Sequence, residues 1–306
     1  MKTKLSILDA VLLAVLATLT LSVSGAEPAR KVEQVIRMTL GRPIALADSG
    51  KNLIHILDSN GSILWQYPAD GPRDVWVLPN GNVLFTHRRG VKEVTRDKRV
   101  VWQYSFPETS EIHACQPLAD GSVMIAESGP MRILEIDRHG KILKEVKLRS
   151  AETHKHRQMR CCRKLPDGHY LVGQYYDGVI REYDEEGAVV GDINHPDAHA
   201  GLRLPNGNTL CSFGDAHRLV EYDAQGKVAW SVEENDLPGC PLRFVGPAWR
   251  LANGNTIICN WAGHGYVGKQ PQLVEVTAEK KVAGELFDYA RFGTISGFFV
   301  LDPNNE

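Results

Sequence analysis

Arg73, His113, Arg160 and His199 share one feature of spacing: each stands five residues before a leucine that opens a tight turn. Stepping back five residues from the other two such leucines gives Gly246 and Ser296. Two guanidinium forks suit a carboxylate, sulfate or phosphate, because planar paired donors match the oxygens of such anions. Two imidazoles beside them can serve as general acid and base, as nucleophile or as metal ligands. Further along, Tyr175, His217, Trp261 and His264 follow strand-like runs. Their rings suit stacking on a sugar or aromatic group, and their polar atoms suit orienting one. His113 and His199 are therefore the candidate catalytic residues. Arg73, Arg160, His217, Trp261, His264 and Tyr175 are the candidate substrate-binding residues. No ligand spacing names a metal, and no motif names a cofactor, so both remain unknown at this level.

These residues come together only if the leucine-led turns are equivalent points of a repeat. Leu78-Pro79-Asn80-Gly81-Asn82 returns as Leu118-Ala119-Asp120-Gly121-Ser122, Leu165-Pro166-Asp167-Gly168-His169, Leu204-Pro205-Asn206-Gly207-Asn208 and Leu251-Ala252-Asn253-Gly254-Asn255. Leu301-Asp302-Pro303-Asn304 is a degenerate sixth copy. The intervals run from 39 to 50 residues, the length of a four-stranded propeller blade. Asn-Gly and Asp-Gly adopt the positive φ of a hairpin turn readily. The runs that follow, such as Val83-Leu84-Phe85 and Val123-Met124-Ile125, read as strands. A second turn, Asp-x-x-Gly, recurs at Asp58, Asp137, Asp184 and Asp223. Each unit thus reads as strand A, Asn-Gly turn, strand B, top loop, strand C, Asp-x-x-Gly turn, strand D.

The chain starts in mid-unit and ends on a lone A strand. The pattern therefore predicts an all-β, six-bladed β-propeller whose N-terminal strands pair with a C-terminal strand to close the ring. A count of seven stays open if a degenerate unit hides in the long loops. On this register eight of the eleven histidines fall on the top face; His55, His139 and His169 do not.

Lys2 and Lys4, the apolar run Ala10 to Leu21, and Ser24-Gly25-Ala26 read as a signal peptide over 1–26. An uncleaved membrane anchor is the alternative. A lead-in over 27–41 and a single propeller domain over 42–306 follow. The expected location is secreted or periplasmic, with no membrane span after signal removal. A formal net charge of −2 argues against a nucleic-acid partner. The six cysteines match no zinc pattern and read as buried small hydrophobes, with Cys161-Cys162 as two thiols.

The Asp58-x-x-Gly61-x-x-x-Trp65 and Asp223-x-x-Gly226-x-x-x-Trp230 patterns resemble the blade signature (PQQ-like repeat) of the quinoprotein-like propeller superfamily. The Leu-Pro-Asn-Gly-Asn turns and the blade count are more similar to its arylsulfotransferase-like branch, over about residues 42 to 301. That resemblance implies a periplasmic enzyme in which a histidine at the channel mouth accepts sulfate transiently. His113 or His199 would be that residue, with Arg73 and Arg160 holding the sulfate. Fold alone does not decide function. The expected function is action on an anionic or carbohydrate-like small substrate at the top of the channel, by hydrolase, lyase or sulfotransferase-like chemistry. The alternative is a non-catalytic propeller that binds a ligand or a protein on the same face.

Overall fold

A computed structural model describes residues 36–301. The signal peptide expected over 1–26 lies outside the described residues. Among the described residues twenty-five strands form six antiparallel sheets, which settles the blade count at six. Five sheets have the four strands A to D in chain order; the inner strands are Val75–Val77, Glu111–Pro117, Cys162–Lys164, Ala198–Arg203 and Val245–Arg250. The sixth takes its inner strand from Ile295–Val300 and the rest from Ile44–Asp48, Leu53–Leu57 and Ile63–Pro68. The inner strands touch in circular succession, from Val75–Val77 round to Ile295–Val300 and back. The ring thus closes as the repeat predicts. Among the described residues the only α-helix is the single turn Lys155–Gln158, and no helix is long and apolar enough to cross a membrane.

The turns follow from their chemistry. At Gly81 φ is +81°, which an L side chain adopts only with strain. The carbonyl of Leu78 accepts from Gly81 N, and Asn80 Oδ1 accepts from Asn82 N. In the second turn the Asp58 carboxylate accepts from Asn60 N and Ser62 N. The tryptophan that completes this motif ties one blade to the next. Trp65, Trp102 and Trp230 donate their indole N–H to the carbonyls of Arg96, Asp137 and Ala278, each in the following sheet. Apolar layers fill the spaces between sheets, as where Ala45, Ile54 and Ile56 meet Val75, Val83 and Phe85. All six cysteines are buried free thiols.

One element departs from the expected lead-in. Ile36–Met38 is a strand, added as a fifth to the outer edge of the last blade by pairing with Val282–Asp288. Arg37 pairs with Glu285, and Met38 packs over Gly61 of the closing blade.

Candidate functional site

The repeat sets the inner strands in register, so side chains at one offset form one layer of the channel. Two residues before each leading leucine the layer holds Trp76, Gln116, Arg163, Leu202, Trp249 and Phe299. Trp76 contacts Trp249 and Phe299 at centroid distances of 6.4 and 5.4 Å, and the Arg163 guanidinium lies 5.2 Å over Trp76. Arg163 is paired to buried Asp74 through two hydrogen bonds of 2.7 and 3.0 Å. This filled layer is a floor.

Above it opens a cavity of about 350 Å³. All six sheets or their top loops contribute to its lining, including Arg73, His113, Arg160, His199, Gly246 and Ser296, the complete layer five residues before the leucines. Close approach of neighbouring blades is built in at Gly173, where a Cβ would stand 2.0 Å from the His199 carbonyl oxygen. Arg73 is anchored through its backbone, since Arg73 N and Asp74 N both donate to Thr86 Oγ1 at 3.0 Å.

Seven of the eight candidates read from the sequence line this cavity: Arg73, His113, Arg160, Tyr175, His199, Trp261 and His264. His217 does not. It ends a tight turn at φ +58°, with its N–H bonded to the Gly214 carbonyl, and it is absent from the lining. A place in the loop after strand B was too coarse a criterion: the turn carries Asp215, not His217, to the cavity.

The electrostatics divide the cavity in two. On one side stand Arg73 and Arg160. Burial lowers both guanidinium pKa values, and each is lowered further by like charge, Arg88 acting on Arg73 and Arg73 on Arg160. Among the described residues neither makes an ion pair. The Arg160 guanidinium bonds only the His156 carbonyl and lies 5.3 Å over the Tyr175 ring. His113, 5% exposed, is lowered to about 3 by burial and by Arg160 and Arg73, against the pull of Glu111. His199 is pushed well below the ordinary imidazole value by burial, Arg160, His113 and Arg73. Both imidazoles are therefore neutral at pH 7. Burial raises the Glu111 carboxyl, but His113 and His156 outweigh it and hold the group below the ordinary carboxylate range.

The other side is aromatic. Phe244 stacks on Tyr175 at 6.0 Å and meets Trp261 edge-on at 5.1 Å and His199 at 5.3 Å. Asp215 ties this wall together, accepting from the Tyr175 hydroxyl at 2.7 Å and bonding His264 Nδ1 at 3.0 Å. Trp261 Nε1 is buried without a hydrogen-bond partner among the described residues.

No family model matches the chain, and no curated protein matches it. The likeness lies among solved structures. A protein of unknown function from Bacteroides caccae superposes with a TM-score of 0.78, at 32% identity over 84% of this chain and 98% of that one. The chain belongs to the family of that Bacteroides caccae protein. Outside the family, the virginiamycin B lyase from Staphylococcus aureus, in a catalytically inactive form with quinupristin, superposes at TM-score 0.60 with 13% identity, over 87% of this chain and 94% of that one. A streptogramin B lyase gives 0.58 at 13%, over 82% and 81%. At such identity the likeness shows the propeller fold alone. The arylsulfotransferase-like branch finds no family-model support.

Within this member of the Bacteroides caccae family, Phe244, Glu111 and His156 belong to the cavity region and are missing from the candidates read by register. Phe244 carries no chemical signal in sequence. Glu111 was detectable, because it sits two residues before His113 and so faces the same side of its strand.

Proposed function

We propose that this chain is an exported propeller whose top cavity binds a small organic anion and acts on it by proton transfer. The observation that carries this reading is the pair Arg73 and Arg160, two guanidiniums facing one cavity with no carboxylate partner among the described residues. A fold that brings two like charges out of water, with only the field of Glu111 and no ion pair to offset them, is complementary to an anion. A carboxylate, sulfate or phosphate between them meets several charge-assisted donors. The wall of Tyr175, Phe244 and Trp261 then receives a flat ring or the apolar face of a sugar. A volume near 350 Å³ suits a ligand of that size.

His199 is the proton-exchanging group of this proposal. Its Nδ1 is buried with no hydrogen-bond partner among the described residues, and the ring is neutral. An anion between the arginines offsets the positive charge that depresses the imidazole, so His199 becomes a better base only when a ligand is in place. The same guanidiniums stabilise negative charge that develops as the proton leaves. Lyase and hydrolase chemistry both use such a step.

Titration with phenyl phosphate, phenyl sulfate and the uncharged phenyl glucoside, followed by tryptophan fluorescence, tests the binding. The anions are expected to bind at least about tenfold more tightly, the weight of one charge-assisted contact. Equal affinity for the glucoside overturns the reading. For a substrate that turns over, His199→Gln should lower the rate by about 10²–10⁴-fold with binding retained. Binding with no turnover of any anion leaves the non-catalytic receptor.

A further inference from the structure

Glu111, His113 and His156 form a cluster that the anion reading does not use. Glu111 and His113 lie on one strand, and His156 reaches them from the short helix Lys155–Gln158 in the connection to the next blade. Glu111 Oε1 lies 3.3 Å from His113 Nε2 and 2.8 Å from His156 Nδ1, and the three atoms fall within 4.8 Å of one another. His113 is 5% exposed, and among the described residues its Nε2 finds no hydrogen bond of adequate geometry, even with the carboxylate so near. A buried ring nitrogen 3.3 Å from a carboxylate and beside a second imidazole, with no well-formed hydrogen bond to either, is placed as a lone-pair donor.

We infer that Glu111 Oε1, His113 Nε2 and His156 Nδ1 are three ligands of a divalent transition-metal site in the rim of the cavity, with zinc the best-fitting class. Two imidazoles and one carboxylate are a borderline N/O set that suits zinc and disfavours calcium and magnesium. In a tetrahedral site with bonds of about 2.05 Å, neighbouring ligand atoms stand about 3.3 Å apart. The Glu111–His113 spacing has that value, the Glu111–His156 spacing of 2.8 Å is about half an ångström shorter, and all three atoms lie within 4.8 Å of one another. The carboxylate and both imidazoles leave a fourth position for water or an anion. His113 and His156 line the cavity, which places that position beside Arg73 and Arg160. One carboxylate does not neutralise the metal charge, and the two guanidiniums oppose it, so metal affinity is set partly by like-charge repulsion.

A second trio, Asp167, His169 and Glu182, meets the same spacing, but its Glu182 is already paired with Arg203 at 2.6 Å and it holds no buried ring nitrogen comparable to that of His113. It serves as the control.

The experiment is cobalt titration of chelator-treated protein in chloride buffer without organic anions, read by the visible ligand-field band and by zinc displacement. One equivalent is expected, with a tetrahedral band. Glu111→Gln and His156→Ala should weaken cobalt by at least about 100-fold, beyond the effect of losing an outer-shell partner. His156 is exposed, so its replacement leaves the fold intact, and His156→Cys should restore binding with a thiolate charge-transfer band. Arg73→Gln should tighten cobalt several-fold through removal of a like charge. No band at stoichiometric cobalt, a band that survives His156→Ala, or one that is lost in His169→Ala instead overturns the assignment. The measurement contains no organic ligand, so its failure leaves the anion reading standing, and failure of the anion reading leaves the metal site standing.

Discussion

Arg73→Gln separates a charge held for function from one held for structure. The Arg73 guanidinium makes no hydrogen bond or ion pair among the described residues, so its loss breaks no specific contact. Its pKa is lowered by burial, which means the charge is less stable in the fold than in water. At an effective dielectric of about 20, like charges several ångströms apart repel by on the order of 1–3 kcal/mol, and Arg88 is such a charge for Arg73. Attraction to Glu111 offsets part of this, so the net relief is on the order of 1 kcal/mol. Glutamine keeps most of the stem and its packing. The variant should therefore be as stable as the parent, or melt about 2–4 °C higher, the shift that about 1 kcal/mol gives in a domain of this size. Anion affinity should move the other way. One lost charge-assisted contact is worth about 1.5–3 kcal/mol, or roughly 10- to 150-fold in Kd for phenyl phosphate. Thermal unfolding and fluorescence titration on one preparation read both. A fall in Tm beyond about 5 °C with unchanged anion affinity would refute the reasoning, because Arg73 would then be a structural charge.

Three further outcomes follow from the geometry. Between pH 6.5 and about 3 the folded protein binds fewer protons than the unfolded chain at His113, so stability present above pH 6.5 is lost as pH falls through that window. Urea midpoints should drop steadily below about pH 6.5, by up to about 1.4 kcal/mol per pH unit per such imidazole, and His113→Gln should flatten the slope. Trp261→Leu should weaken phenyl phosphate roughly 2- to 13-fold while leaving inorganic phosphate unchanged, since an aromatic contact is worth about 0.5–1.5 kcal/mol beyond area; equal losses for both would remove the aromatic wall from the site. Gly61→Ala places a Cβ 2.3 Å from Met38 Cγ at φ +80°. A loss of about 1–3 kcal/mol is expected in urea unfolding, part of it restored by Met38→Ala, and an undiminished midpoint would show that Met38 does not hold the outer strand there.

The ring was legible because its turns are governed by local chemistry. Asn80-Gly81 and its copies need nothing beyond their own residues to fold back. Fixed intervals between them then dictate which side chains share a layer. Arg73, His113, Arg160 and His199 came together on that logic, since residues at one offset must circle one axis. What escaped depends on distant or irregular chain. Ile36–Met38 is three residues long and finds its partner about 250 positions away, with no alternation to mark it. His156 reaches Glu111 only through the path of a connection between blades. His217 shows the opposite error: its position relative to the repeat was right, but a turn with positive φ decides which of its residues meets the cavity.

The closing sheet has one join that no hairpin spans, where Ile44–Asp48 meets Ile295–Val300 through ladder hydrogen bonds, a few side-chain bonds such as Gly293 N to Asp48 Oδ2, and shared apolar packing. That seam is the natural place for the circle to part. A guest in the cavity touches segments from every sheet, so it works as a keystone, and opening the seam would have to eject it. Occupancy should then slow amide exchange along residues 44–48 and 295–300, in strands whose ends lie well below the guest, while a blade that breathes on its own gains no such protection.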